Sequence, residues 1–336
     1  NPKNPVINTR SFGEDPVKVA DKVIAYASGL ESGKVLSVCK HFPGHGDTDV
    51  DSHKALPVLP FTRERLDSVE LYPFKEAIRA GVSGMMVGHL QVPVIEPIGD
   101  LPSSLSRNVV YGLLTEELAF KGLIFTDALA MKGVAGNKSV CLQALQAGND
   151  MVLAPRRLKE EMDAVLEAVE KGELPEEEIN AKCRKVLTYK YILGLERKPF
   201  VKLSGLGTRI NTPQTRDLIS RLNLAAITVL NNKNDVLPLH PDLKEAAILN
   251  VGKPEEIEPF DRKMKKYTSF ARFQLRKDLP EAEQQKLRDS LAAYRRVIVT
   301  VTEQRLAPYQ SFFAKFAPES PVIYVFYTPA KSMLQI

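Results

Sequence analysis

Residues 35–53 of the chain read VLSVCKHFPGHGDTDVDSH. The apolar run at residues 35–39 predicts a short buried strand. Pro43, Gly44 and Gly46 disfavour both a longer strand and a helix, so the histidines and aspartates around them lie on a loop at the carboxyl end of the strand. Enzymes built from βα units keep their catalytic groups at this end of their strands. The stretch therefore predicts a chemical site on a fold of alternating strands and helices.

Apolar runs alternate with helical patterns along the first part of the chain. The runs predict strands at residues 6–7, 35–39, 84–88, 123–126 and 151–153. The helical patterns cover residues 17–30, 63–80, 109–120, 139–147, 158–171 and 176–193. This alternation predicts a parallel sheet covered by helices. Polar residues at or beyond the predicted strand ends favour a TIM-type (β/α) barrel over an open sheet; they are Arg10, Lys40, His41, His89, Asp127 and Asp150.

A loop-rich composition at residues 199–212 marks the predicted boundary between two domains. We predict a barrel domain at residues 1–205 and a second α/β domain at residues 206–336. In the second domain, apolar runs predict strands at residues 226–230, 246–251, 297–301 and 322–327. Helical patterns lie at residues 281–294 and 309–316. Because the sequence ends soon after the last of these strands, we expect the second domain to be truncated.

The composition is that of a globular protein, with 44% hydrophobic and 26% charged residues among 336. Lys and Arg are interspersed with Glu and Asp and the net charge is only +5, which indicates solvated helix faces and no nucleic-acid-binding surface. The apolar stretches are far shorter than the roughly 18 residues of a membrane span. Cys39, Cys141 and Cys183 stand singly in apolar contexts, which predicts buried free thiols.

The stretch KHFPGHGDTDVDSH at residues 40–53 resembles the motif of the β-N-acetylglucosaminidases of glycoside hydrolase family 3, in their NagZ-like branch. Three further matches occur in the family's order, namely NTRSFGEDP at residues 8–16, FTDALAM at residues 125–131 and AGND at residues 147–150. The resemblance is detailed through the last of these matches and mainly architectural beyond it. It implies a TIM-type barrel that lacks its N-terminal strands here, followed by an α/β sandwich domain.

The resemblance also implies an activity. It is that of a bacterial, exo-acting, retaining enzyme, which removes terminal GlcNAc from a glycan or muropeptide of peptidoglycan through a covalent intermediate and without a cofactor. The sequence begins at Asn1 with neither an initiator Met nor a signal peptide, so we expect the start of the natural chain to be missing. We expect a periplasmic or cell-envelope location in preference to the cytoplasm.

Hydrolysis with retention needs a carboxylate that attacks the anomeric carbon and an acid that protonates the leaving oxygen. By its position after an apolar run, Asp127 is equally consistent with a nucleophile and a helix cap, and the motif implies the nucleophile. His53 carries an imidazole, which exchanges protons near neutral pH. Asp51 is two residues away on an extended loop, so it is able to orient that ring. The resemblance implies that His53 and Asp51 form the acid/base dyad; the alternative for His53 is a solvated loop histidine.

Sugar hydroxyls are recognised by polar and charged side chains. The residues that we expect to contact or line the sugar site, mainly from the resemblance, are Arg10, Lys40, His41, His89 and Met131. For Arg10 the alternative is an ion pair with Glu14 or Asp15. His89 is either a ligand contact or a buried wall histidine. Asp150 is expected to support the site through hydrogen bonds.

Three other functions remain open at this point. Two histidines and three carboxylates alternate within residues 35–53, namely His45, Asp47, Asp49, Asp51 and His53. If these residues formed a strand, their side chains would share one face and would be able to ligate zinc or manganese. The Pro and Gly residues there disfavour a regular strand and no usual metal spacing appears, so we predict no metal. The remaining alternatives are a GlcNAc phosphorylase on the same fold and an inactive sugar-binding barrel.

Overall fold

The computed structural model describes residues 1, 3–52, 55–197, 200–239, 246–267, 269–318 and 321–328. The chain divides into two compact units, residues 1–201 and residues 202–336. Each unit contains a four-stranded sheet in which all the paired strands run parallel. The protein is therefore an α/β protein with parallel sheets.

The sheet of the first unit has the strand order β1-β2-β3-β4. Its strands are β1 (Val38–Phe42), β2 (Gly84–Val87), β3 (Leu123–Ala128) and β4 (Met151–Leu153). Each strand pairs in parallel with the next one along the chain, which requires a crossover between them. The carboxyl ends of the four strands consequently meet at one edge of the sheet, where the loop that follows β1 begins.

Helical segments lie before, between and after the strands of the first unit. The helices are α1 (Pro16–Ser32), α2 (Arg63–Arg65), α3 (Tyr72–Arg79), α4 (Val140–Ala147), α5 (Leu158–Glu170) and α6 (Glu176–Ile192), with π-helical segments at Leu66–Glu70 and Asn108–Glu117. The segments between β1 and β4 provide the crossovers, whereas α1 precedes β1 and both α5 and α6 follow β4. Asp15 starts α1 by accepting a hydrogen bond from the Lys18 amide, and Pro16 occupies the first turn. Between helices and sheet lies a core of fully buried side chains, including Phe42, Leu66, Leu71, Met85 and Leu114.

The sheet of the second unit has the order β6-β5-β7-β8. Its strands are β5 (Ala246–Val251), β6 (Ala271–Leu275), β7 (Arg296–Val301) and β8 (Val322–Phe326). The helices of this unit are α7 (Leu206–Ile210), α8 (Pro213–Ala225), α9 (Pro254–Met264), α10 (Glu281–Ala292) and α11 (Gln310–Ala314). The central strand β5 is buried along its whole length, which is typical of a parallel strand covered on both faces.

Two predicted strands are wrong. At residues 6–7 the backbone turns, because the side-chain oxygen of Asn4 accepts hydrogen bonds from the amides of Val6 and Ile7 and leads the chain into a 3₁₀ turn at Asn8–Arg10. At residues 226–230 the chain leaves α8 and runs as exposed coil. An apolar run forms a strand only when a neighbouring strand pairs with it, and this run has none among the described residues.

Other differences are smaller. β1 begins at Val38, three residues later than predicted, and includes Lys40 and His41. β6 was not predicted. Asp150 precedes β4 and so lies at the amino end of that strand, away from the predicted site. Cys183 is exposed on α6, whereas Cys39 and Cys141 are buried as predicted.

Among the described residues, no helix has both the length and the apolar character that crossing a bilayer requires.

Candidate active site

The ends of β1 and β3 carry the two central residues of the site, and both strands are irregular there. In β1, Lys40 pairs with Met86 and Phe42 with Val87, so His41 is an extra residue relative to β2. β3 likewise has one residue more than β4 between its last two pairs. Such bulges redirect side chains at sheet rims and next to active sites. They turn His41 and Asp127 out of the regular alternation of the sheet.

His41 and Asp127 face each other across β2. Their strands are two apart in the sheet, about 10 Å between backbones, yet Nε2 of His41 lies 3.6 Å from Oδ2 of Asp127. Gly88, which follows β2, leaves room for this approach: a Cβ there would lie 3.1 Å from Cβ of His41. The imidazole is 7% exposed and the carboxylate 19%. Asp127 is thus the more accessible member of the pair.

Burial lowers the pKa of His41 from 6.5 to about 4, against the opposing effect of the Asp127 carboxylate. The positive charges of Lys40 and Arg10 lower the pKa further, which places both cations near the ring. At neutral pH His41 is therefore a neutral imidazole. Its Nδ1 is buried and has no hydrogen-bond partner among the described residues. Lys40 and Arg10 are both exposed.

His89 lies immediately behind the end of β3. Its Nε2 donates to the carbonyl oxygen of Ala128 at 3.1 Å, and its Nδ1 accepts from the Ser104 hydroxyl at 2.7 Å. Burial lowers the pKa of His89, which favours the neutral ring that this pattern requires. The residue is 1% exposed and both ring nitrogens are bonded within the protein. This geometry favours the wall histidine over the ligand contact.

The loop after β1 is held from two sides. From one side, Arg65 contacts the Asp47 carboxylate at 3.3 Å and the Glu70 carboxylate at 2.8 Å. From the other, the buried side chain of Asn4 donates to the carbonyl oxygens of His45 and Gly46. These contacts fix a loop that otherwise has no regular secondary structure.

The other predicted residues lie around this centre or outside the description. Asp51 is half-buried on the same loop. Met131 is half-buried three residues after the end of β3, and this connection is held by Arg156, whose Nε donates to the Ala130 carbonyl at 2.8 Å. His53 lies outside the described residues. Asp150 accepts from the Ile124 amide and pairs with Lys185, and so supports the start of β3.

Sequence reasoning missed Asn4 and Ser104. Ser104 carries no motif signal. Asn4 precedes a proline, and Asn-Pro pairs favour turns, so the turn was open to prediction although its partner was not. In the described part of the chain, no group of three or more His, Cys, Asp or Glu side chains is arranged to hold a metal ion.

The family follows from residues 1–189, which match the model of the glycosyl hydrolase family 3 N terminal domain. This match covers more than half of the chain, so the chain belongs to glycoside hydrolase family 3.

Individual proteins and solved structures are also similar to this chain. Beta-hexosaminidase A from Pseudoalteromonas piscicida is 34% identical over 261 residues, 71% of this chain and 43% of that protein. The chain spans about half the length, or less, of the curated relatives that it matches. The structure of a glycoside hydrolase family 3 beta-N-acetylglucosaminidase from Paenibacillus sp. str. FPU-7 is similar over 100% of this chain and 66% of that one, with a TM-score of 0.78 and 30% identity. Beta-glucoside phosphorylase BglX has a TM-score of 0.80 over 99% of this chain and 65% of that one, but its identity of 23% establishes the fold alone.

Proposed function

We propose that the protein is an exo-acting retaining β-N-acetylglucosaminidase that removes terminal GlcNAc from peptidoglycan fragments. The observation that carries this proposal is the Asp127 carboxylate, partly exposed at the end of β3 and facing a neutral His41. The family and the names of the relatives support the same reaction. A sugar partner suits the half-buried, polar surroundings, and no cofactor is part of the proposal.

In the proposed mechanism Asp127 attacks the anomeric carbon and forms the glycosyl-enzyme intermediate. One of its oxygens, Oδ1, accepts a hydrogen bond from the Ala128 amide at 2.8 Å, which fixes the plane of the carboxylate. The other oxygen faces His41 and is the candidate attacking atom. Because His41 is neutral, it does not form an ion pair with Asp127, and the carboxylate keeps its negative charge for the attack.

The proton is supplied in this proposal by His53, with Asp51 as its orienting partner. His53 protonates the leaving oxygen in the first step and takes a proton from water in the second. Arg10, Lys40 and His41 are proposed to bind the non-reducing sugar, and Met131 to line the site. His89 is proposed as part of the wall of the site.

The proposal includes the architecture. We propose that the sheet of the first unit belongs to a TIM-type barrel, which residues 1–205 contribute to, and that residues 206–336 belong to an α/β sandwich domain. The sequential parallel order of β1 to β4 supports the barrel. The two-unit division of the chain supports separate domains.

Replacement of Asp127 tests the reaction. Asp127→Asn removes the attacking charge at nearly constant shape, so turnover of a nitrophenyl β-GlcNAc should fall by about three or more powers of ten. Asp127→Gly with added azide should regain turnover and release the α-glycosyl azide, because a small anion takes the place of the carboxylate.

A matched control is Asp163→Asn on the exposed face of α5, where the carboxylate pairs with Lys159. It should leave turnover unchanged. Near-normal activity in Asp127→Asn, or a β-configured azide product from Asp127→Gly, would contradict the nucleophile assignment.

A further inference from the structure

We propose that Asn4 is a positioning residue for the acid/base loop, and this inference rests on the function proposed above. The loop that follows β1 carries His45 and leads through Thr48 to Asp51. It has no regular secondary structure, so its conformation depends on side-chain contacts. Asn4 makes buried contacts with this loop, from a segment far away in the sequence.

Both the nitrogen and the oxygen of the Asn4 carboxamide form hydrogen bonds. Its nitrogen lies 2.7 Å from the carbonyl oxygen of His45, 3.2 Å from that of Gly46 and 3.2 Å from the Thr48 hydroxyl. Its oxygen accepts from the amides of Val6 and Ile7. The residue is 0% exposed. A carboxamide is the side chain of this size that offers donors at one end and an acceptor at the other.

This contact continues toward the proposed nucleophile. The Thr48 hydroxyl that Asn4 contacts lies 2.9 Å from Nδ1 of His45. The ring of His45 packs edge-on against that of His41, with ring centroids 5.9 Å apart. His41 in turn faces Asp127. Asn4 is therefore connected through Thr48 and His45 to His41, and it also holds the loop that leads to Asp51.

The oxygen end of Asn4 has a second consequence. By accepting from two successive amides, it sets the turn that directs the chain into Asn8–Arg10. Arg10 is one of the two cations whose charge acts on His41. One side chain thus fixes the acid/base loop relative to the segment that carries a proposed sugar ligand.

Replacement of Asn4 by aspartate tests the nitrogen end of the carboxamide separately from its oxygen end. Asn4→Asp retains the acceptor for Val6 and Ile7 but places a carboxylate oxygen against the carbonyl oxygens of His45 and Gly46. The loop should shift, and a displacement of about 1 Å at a catalytic group costs on the order of a hundredfold in rate. We expect kcat on a GlcNAc disaccharide to fall about a hundredfold, with KM changed less than threefold.

The choice of substrate distinguishes positioning from loss of folded protein. A nitrophenyl leaving group needs little protonation, so its turnover in Asn4→Asp should fall only about tenfold or less. His53→Ala should give the same dependence on leaving group, more strongly. A smaller population of folded enzyme would instead lower both activities by the same factor.

Two further variants complete the experiment. Thr48→Val removes the hydroxyl between Asn4 and His45 at constant shape, and should give the same substrate dependence even if Asn4→Asp does not fold. Asn232→Asp is the control, since Asn232 also bonds a backbone carbonyl and a backbone amide, those of Leu237, in the second unit. It should leave both activities unchanged.

Equal losses on the two substrates in both Asn4→Asp and Thr48→Val, or no loss in either, would overturn the positioning role. Failure of the proposed function looks different, because the unaltered enzyme would then release no GlcNAc and Asp127→Asn would change nothing.

Discussion

At the scale of single residues, the state of His41 decides the charge balance of the site. Two cations and a carboxylate lie near its ring, and burial outweighs the carboxylate. A neutral imidazole beside Asp127 is able to donate one hydrogen bond to a sugar hydroxyl or to the carboxylate without carrying charge. The site thus places its positive charge on Lys40 and Arg10, at the exposed rim, and its negative charge on Asp127.

The lowered pKa of His41 predicts an acid-sensitive fold. Between pH 6.5 and about 4 the unfolded chain binds a proton at this position and the folded chain does not. The free energy of unfolding should therefore decrease as the pH falls through this window. In His41→Gln this contribution is absent, so the decrease between pH 7 and pH 5 should be smaller than in the unaltered protein. Urea unfolding at both pH values measures it, and equal decreases in the two proteins would contradict the assignment.

At the scale of elements, the loop after β1 packs against the helical segments at Arg63–Arg65 and Leu66–Glu70. Gly44 has φ +140° and packs against Glu70 at the end of the π-helical segment. Arg65, from α2, pairs with both Glu70 and Asp47 and packs against the ring of Phe61. Backbone, charge and aromatic contacts therefore converge on one turn of chain between the strand and Asp51.

Two glycines of this loop give a matched pair of stability predictions. A Cβ at Gly44 would lie 2.7 Å from Cβ of Glu70 and would adopt an unfavourable φ, so Gly44→Ala should lower the free energy of unfolding by about 1–3 kcal/mol. A Cβ at Gly46 meets no atom within 4 Å among the described residues, so Gly46→Ala should change it by less than about 0.5 kcal/mol. Urea denaturation compares the two, and equal effects would show that close packing on Glu70 is not what Gly44 provides.

The elements also show which parts of the fold the sequence was able to predict. The four strands of the first unit were predicted because each contains or overlaps a short apolar run with helical patterns around it. β6 was missed because its sequence, ARFQL, mixes buried and exposed positions without a clear period. The strand predicted at residues 6–7 was wrong because a distant loop contacts Asn4, and no local pattern encodes such a contact.

The sequence likewise predicted only part of the candidate site. The placement of His41 and Asp127 at strand ends followed from their positions after apolar runs, and the structure places them at the carboxyl ends of β1 and β3. Their roles remain predictions. The bulges that turn these side chains together, and the bonds of His89 to Ser104 and Ala128, depend on strand register and packing. Register is a property of pairs of strands, so one strand's sequence does not specify it.

At the scale of the whole molecule, the chain passes from one unit to the next through exposed backbone. Phe200 is 95% exposed, Val201 72% and Leu203 76%. Residues 200–203 belong to no helix or strand. Few contacts therefore protect this segment from local opening.

Limited digestion of the 336-residue chain with chymotrypsin should first cut after Phe200 or Leu203, because proteases act on exposed segments without regular structure. Mass spectrometry of the earliest fragments identifies the cut. The double variant Phe200→Ser with Leu203→Ser should slow this first cleavage at least about tenfold while leaving later cuts unchanged. First cuts within β1 to β4 would contradict the division into two units.

The position of β2 between His41 and Asp127 determines when this pair of side chains is able to form during folding. The pair exists only in a molecule in which three strands, contributed by well-separated stretches of chain, have already joined in register. Helices form from local contacts and appear early, whereas such non-local strand pairing is slow. On the ribosome, therefore, a nascent chain carries Lys40 and His41 long before Asp127 is able to face them, and the pair forms only when the third strand joins the sheet.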